Sequence, residues 1–253
     1  MNKHILIIAL ALFLGQNLLF AQGNELLSFS DLLNAKNYNF EEALSNPEQV
    51  NKLNISNTNI TEIPEGTFFK NLQALYLANS PSILAKWVDK SSAALLNPTN
   101  ILILDISNNN LESLPKGIGS MTNLISLNMS GNPDLMKEVD KSTPKLANLE
   151  ILDISNNNLT TIPGFINKFA LLKEINLSGN SIVSKEVDKC SPKLANVEKI
   201  DLSNNELTAL VDWLLEQKAS LPMLKELNLK GNPLNDGEIE QIRELLSDTK
   251  VIF

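Results

Sequence analysis

Residues 104–111, LDISNNNL, reveal the architecture of the chain, because this stretch recurs almost unchanged along it. It returns at residues 152–159, which is 48 residues later (152 minus 104), and again with substitutions at residues 200–207. Related fragments at residues 127–132 and 175–180 lie between these copies and are also 48 residues apart (175 minus 127). The repeating unit is therefore about half of that length, which is typical of a solenoid.

All units share one apolar spacing. Each has an apolar anchor, a second apolar residue three positions before it and a third two positions after it. Alternation around the anchor predicts a short strand, and a unit of this size cannot bury its apolar face without stacked neighbours. The eight anchors are Leu53, Leu75, Leu104, Leu127, Leu152, Ile175, Ile200 and Leu227.

The pattern L-x-x-L-x-L-x-x-N-x-L over residues 50–234 resembles the leucine-rich repeat family, and the exported context suggests a bacterial-type secreted member. The resemblance implies an α/β fold class. Each unit would give one strand to a concave parallel sheet, the rest of the unit would return along the convex side, and the solenoid would curve into a horseshoe. Helical caps are expected at residues 22–49 and 235–253, because a stacked core needs its ends covered.

The asparagine of the pattern forms a column that we interpret as structural. An amide both donates and accepts, so stacked amides can pair the main-chain groups left free where the strands turn. The first two units carry Thr58 and Ser80 instead. The ladder consists of Asn109, Asn132, Asn157, Asn180, Asn205 and Asn232.

The sequence patterns of the caps and the return segments also predict local structure. Asn39 and Glu42 predict a capping box, as do Asn235 and Glu238, and residues 251–253 predict a last strand. An amphipathic turn around residues 29–33 is expected to join the N-terminal cap. The short returns contain Pro64, Pro115 and Pro163, whereas the longer ones repeat Val-Asp-Lys at residues 88–90, 139–141 and 187–189 and are interpreted as a solvated convex face.

Residues 1–21 predict a secretory signal, with Lys3 and His4 before an apolar run that is too short to span a bilayer. Removing it changes the net charge from −8 to −9, since 20 basic residues then face 29 acidic ones. We therefore expect an exported chain, which would be secreted, periplasmic or at the cell surface, without affinity for nucleic acid. The single cysteine, Cys190, allows no internal disulfide, and we interpret it as incidental.

The chemistry of the mature chain is limited. It contains no histidine, which excludes histidine-based triads and histidine-ligated zinc, and we expect no catalytic site, metal or cofactor. Asp105 and Asp153 alternate with amides in the column after the anchors. Two strands apart, they would be separated by roughly 10 Å, which is too far for a retaining glycosidase pair and marginal for an inverting one.

Four concave positions break the consensus: Tyr76, Ile103, Ile151 and Lys230. Exposed apolar and aromatic residues on a polar sheet are common anchors of protein interfaces. The isoleucines could equally be strand formers without a partner. The candidate partner-binding residues of the concave face are Tyr76, Ile103, Asp105, Ile151, Asp153 and Lys230.

The sequence therefore predicts an exported, non-enzymatic, monomeric module that binds a protein, or a glycan, through its concave face. A structural or adhesive role at the cell surface is the alternative, and a carboxylate-based hydrolase is the third. The family resemblance carries the first interpretation, because a fold alone does not determine function.

Overall fold

The computed structural model describes residues 26–64, 66–82, 96–135, 146–184, 194–217 and 220–253. The predicted signal at residues 1–21 and the Val-Asp-Lys segments lie outside the described residues. Within the described part, no helix has the length and apolar character needed to cross a membrane.

One parallel sheet organises the chain, and its nine strands lie in sequence order. Every anchor pairs with the anchors of the neighbouring units, from Leu53 through Leu227, and Val251 continues the row. This register confirms the eight units and the solenoid. The strands are β1 (Lys52–Asn54), β2 (Ala74–Tyr76), β3 (Ile103–Asp105), β4 (Ser126–Asn128), β5 (Ile151–Asp153), β6 (Glu174–Asn176), β7 (Lys199–Asp201), β8 (Glu226–Asn228) and β9 (Lys250–Ile252).

The core lies between the sheet and the return segments. The three apolar positions of the third unit, Ile101, Leu104 and Ile106, are fully buried, and the other units repeat the arrangement. Each buried aliphatic side chain contributes about 1.5–3 kcal/mol of transfer free energy. The short returns enter 3₁₀ turns at Lys116–Ser120 and Gly164–Lys168, directly after Pro115 and Pro163.

The asparagine ladder runs beside the strand ends. The main-chain N–H of Asn132 donates to Asn157 Oδ1 at 2.7 Å, and Asn132 Oδ1 accepts from Asn109 N at 2.9 Å. Asn132 Nδ2 donates to the carbonyls of Ile106 and Met129 at 3.1 Å each. Each amide thus joins its own turn to the preceding unit, and its main-chain N–H donates to the amide of the following unit. At the N-terminal end Ser80 Oγ continues the column by accepting from Thr58 N at 3.2 Å.

A second column lies one residue before the ladder. Each of its residues has a left-handed backbone conformation, with φ from +51° to +77°. From the third unit onward asparagine and glycine alternate there. Asn108 Oδ1 lies 2.1 Å from the place that a Cβ on Gly131 would occupy, and Asn156 and Gly179 repeat this contact. The column consists of Asn57, Asn79, Asn108, Gly131, Asn156, Gly179, Asn204 and Gly231.

The N-terminal end has two helices with different positions. Helix α2 (Phe40–Ser45) begins with the capping box of Asn39 and Glu42, and its Ala43 is buried in the main core. Helix α1 (Phe29–Asn34) was expected to join this cap, and that expectation is wrong. Its Leu32 belongs to a separate apolar cluster with Ala74, Leu102 and Ile103.

At the C-terminal end helix α3 (Val211–Gln217) and helix α4 (Asp236–Leu245) pack together, and β9 confirms the predicted last strand. Asn235 accepts from Glu238 N at 3.0 Å, but the second half of the predicted box does not form. Glu238 Oε1 instead accepts from the main-chain N–H groups of Leu210 and Val211. The first N–H groups of a helix lack partners within it, so this carboxylate caps α3.

Candidate binding surface on the concave face

The concave face carries two side-chain columns, because the residues on either side of each anchor point away from the core. The first column consists of Lys52, Ala74, Ile103, Ser126, Ile151, Glu174, Lys199, Glu226 and Lys250. The second consists of Asn54, Tyr76, Asp105, Asn128, Asp153, Asn176, Asp201, Asn228 and Ile252.

The expectation that the two isoleucines are exposed is wrong, since Ile103 is 3% exposed and Ile151 is 5% exposed. Ile103 packs with Leu32 of α1. Ile151 is paired between Ser126 and Glu174, which are themselves 8% and 7% exposed. Strands lie only about 4.8 Å apart, so crowded side chains on neighbouring strands shield one another.

Residues 26–34, which we call the N-terminal segment, cover the first part of this face. Leu32 is fully buried, and Leu27, Phe29 and Leu33 pack partly buried against the same cluster. The floor of the cluster is Ala74, Leu102 and Ile103, and its sides are Tyr76 and Ile125. Leu102 and Ile103 are adjacent apolar residues at two outward positions of one unit, which is the sequence signal for a covered patch.

Polar contacts hold the N-terminal segment at both ends. Gln73 Oε1 accepts from Leu27 N, and Gln73 Nε2 donates to Leu27 O, both at 2.8 Å. Lys52 Nζ donates to Leu33 O at 3.0 Å, and this ammonium also lies 5.9 Å from the centroid of the Tyr76 ring. Sequence reasoning missed Gln73 because a polar residue outside the strand carries no repeat signal.

Burial changes the acid–base behaviour of this part of the face. It raises the pKa of Tyr76 to about 12, and the Asp105 carboxylate adds to the shift. Burial also lowers the pKa of Lys52. The pKa of Asp105 is raised by burial, against the hydrogen bonds from Ser107.

We expect Tyr76 to make the fold less stable above pH 10. Its folded pKa of about 12 exceeds the ordinary 10, so the neutral phenol is favoured in the folded state and its stabilisation is lost as pH rises from 10 to 12. The difference in unfolding free energy between wild type and Tyr76→Phe should change by about 2 kcal/mol over this interval. Denaturant titrations at pH 9 and pH 12 measure it. Parallel pH curves for the two chains would contradict the prediction.

The aspartates of the second column are bonded within the sheet. Asp153 Oδ1 accepts from Ser155 N and Ser155 Oγ at 2.9 and 2.7 Å, and Asp153 Oδ2 accepts from Asn176 Nδ2 at 3.1 Å. Asp105 makes the same two bonds to Ser107. These carboxylates therefore close turns and link strands. Among the described residues, no three histidine, cysteine or acidic side chains lie close enough to hold a metal ion.

The C-terminal part of the face carries cross-strand ion pairs. In every pair the lysine side chain is more exposed than the glutamate, for example 63% against 22% for Lys225 and Glu198. The pairs are Glu150–Lys173 at 2.7 Å, Glu174–Lys199 at 3.8 Å, Glu198–Lys225 at 2.7 Å and Glu226–Lys250 at 2.9 Å. The alternation of glutamate and lysine from one unit to the next can be recognised only once the strand register is known.

This part of the face combines a buried glutamate with exposed lysines. Burial raises the pKa of Glu174, as do Glu198 and Glu226, while Lys199 opposes the shift, and Glu174 Oε2 is buried without a hydrogen-bond partner. Lys230 is exposed just after β8. Lys225, Lys230 and Lys250 therefore present ammonium groups to solvent at one end of an acidic protein.

Comparisons with known proteins agree with this architecture. Family models of the leucine rich repeat match residues 100–121 and 135–182. No curated protein gave a significant match to the chain.

Solved structures share the fold at low sequence identity. Human 5T4 (Wnt-activated inhibitory factor 1, trophoblast glycoprotein) matches with a TM-score of 0.62 and 22% identity over 81% of this chain and 78% of its own. An internalin from Listeria monocytogenes matches with a TM-score of 0.58 and 17% identity over 83% of this chain. The match spans 62% of the internalin chain, less than two thirds of it. The family models match two stretches of the repeat region, and the strand register continues the same unit from Leu53 to Leu227, so the repeats of this chain are leucine-rich repeats.

Proposed function

We propose that the protein is an exported, non-enzymatic binding module, and that its partner is a protein that presents carboxylates to β6–β9 of the concave face. The observation that supports this most directly is the exposure of Lys225, Lys230 and Lys250 on that surface. An ammonium group has three donors, and the paired glutamate oxygen uses one of them. The remaining donors point to solvent and match carboxylate acceptors.

Charge complementarity also explains why the partner would select this face. The whole chain has a net charge of −8, so an acidic partner is repelled over most of the surface. At the exposed lysines the repulsion is reduced, because the lysine side chains reach further into solvent than the glutamates that pair with them, and this orients the approaching protein. Glu198 and Glu226 hold two of these lysines in place and reduce the ordering needed on binding.

We expect the substitutions Lys225→Glu, Lys230→Glu and Lys250→Glu together to weaken partner binding by at least about 100-fold, because like charges then oppose each other across the interface. The partner is first captured from the secreted fraction with residues 22–253, and calorimetry then compares the variants. The matched control is Lys116→Glu, an exposed lysine on a return segment. Equal affinity of the triple variant and wild type would place the site elsewhere.

A further inference from the structure

The N-terminal segment is attached to the solenoid as a separate unit. Helix α1 ends at Asn34, and Lys36 and Asn37 are exposed. The chain rejoins the sheet at Tyr38, whose N–H donates to Lys52 O at 3.0 Å and whose carbonyl accepts from Asn54 N at 2.9 Å. The segment can therefore leave the concave face without breaking the pairing of Tyr38 or the α2 cap.

Docking is what keeps the segment helical. A six-residue helix is too short to be stable by itself in water. Its buried side chain is Leu32, which enters the cluster of Ala74, Leu102 and Ile103. The repeats supply the apolar surface that holds this turn together.

The polar contacts to the segment do not depend on its sequence. Gln73 bonds both main-chain groups of Leu27, and Lys52 bonds the main-chain carbonyl of Leu33. Contacts of this kind accept any chain with the same backbone course. Side-chain selection is left to the apolar cluster, which contacts Leu27, Phe29, Leu32 and Leu33.

We propose that this covered part of the concave face is a docking site for a short amphipathic helix of a partner protein, and that residues 26–34 fill the site in cis until the partner helix replaces them. The site requires an extended apolar residue that bonds Gln73. A helical turn follows, with apolar residues two, five and six positions later, as at Phe29, Leu32 and Leu33. Helices that bind grooves use this spacing of anchors. The proposal goes beyond the lysine surface, which involves other strands.

The test uses residues 22–253 and a fluorescein-labelled peptide of residues 24–37 in anisotropy titrations. In wild type the tethered segment competes at a high effective concentration, so the peptide binds weakly. Leu32→Asp introduces a charge into the apolar cluster and empties the site, so this variant should bind the peptide at least about tenfold more tightly. Asn34→Ala, which changes an exposed residue of the same helix, should bind like wild type.

A double variant of the protein and a variant peptide test whether the peptide binds at the apolar cluster. Adding Ile103→Glu to the Leu32→Asp variant should abolish binding, and a peptide with the same leucine replaced by aspartate should not bind. No gain in affinity for Leu32→Asp, or equal binding after Ile103→Glu, would overturn the proposal.

Hydrogen exchange on wild type provides a readout that does not depend on any variant folding. The amide of Leu32, bonded to Ser28 O, should exchange at least about 100-fold faster than that of Leu77, bonded to Asp105 O, because the segment opens locally. Equal protection of the two amides would mean that the segment leaves only when the solenoid unfolds, and it would overturn the displacement.

Discussion

Asn157→Ala should lower the free energy of unfolding by about 1–3 kcal/mol, because it removes a buried side chain that bonds two main-chain groups of the preceding unit. Asn157 is 1% exposed. Its Oδ1 accepts from Asn132 N at 2.7 Å, and its Nδ2 donates to Met129 O at 3.2 Å. Alanine leaves the buried N–H of Asn132 without its acceptor, whereas Met129 O loses one donor and keeps its bond from Asn132 Nδ2 at 3.1 Å. A denaturant titration measures the loss.

The matched control is Asn196→Ala. This amide also donates to a carbonyl of the preceding unit, Ala170 O at 2.7 Å, but it is exposed. Water replaces the lost bond there, so the cost should stay below about 1 kcal/mol. Similar losses of unfolding free energy for the two variants would show that the ladder amide stabilises the fold no more than an exposed amide does.

Ending the chain at Asn235 should cause the protein to aggregate. The cut removes α4 with its fully buried Ile242, and it removes β9, whose Ile252 carbonyl accepts from Leu229 N at 2.7 Å. The apolar layer around Leu227 is then open to water, and β8 becomes an unpaired edge. Size-exclusion chromatography with light scattering measures the result. A monomeric truncated chain would disprove the role of residues 235–253 as a cap.

Point variants in α4 test the burial of this cap without shortening the chain. Ile242→Asp places a charge among buried apolar side chains and should cost at least about 3 kcal/mol, with some aggregation. Glu240→Ala changes an exposed residue of the same helix and should leave stability within about 0.5 kcal/mol of wild type. Equal stability of the two variants would argue against burial of this helix face.

The repeated part of the fold was predictable from the sequence, because each unit repeats the same physical task. The strand register follows from the anchors, and the ladder follows from amides placed at one distance from them. The N-terminal segment has no repeat to fix it. Its position depends on Leu102 and Ile103 in a distant unit, and this is also why two predicted contact residues, Tyr76 and Ile103, proved to lie beneath the chain's own residues.

The cross-strand pairs and Glu238 show a second limit of sequence reasoning. A glutamate three residues after Asn235 fits a capping box, yet its carboxylate accepts from the N–H groups of Leu210 and Val211 at the start of α3. The partners of Lys173 and Lys225 lie one unit away and just before the strands. Such contacts depend on how units stack, which local spacing does not encode.

The alternating asparagine and glycine column has a consequence for how this array can change length. Each asparagine from Asn108 onward lies over the glycine of the next unit, where a Cβ would clash with its amide. Duplicating 48 residues copies both members and preserves every such contact, whereas duplicating a single unit sets two identical residues side by side. From the third unit onward the structural module is therefore a pair of repeats, and a change in length that conserves the asparagine–glycine contacts adds or removes two strands together.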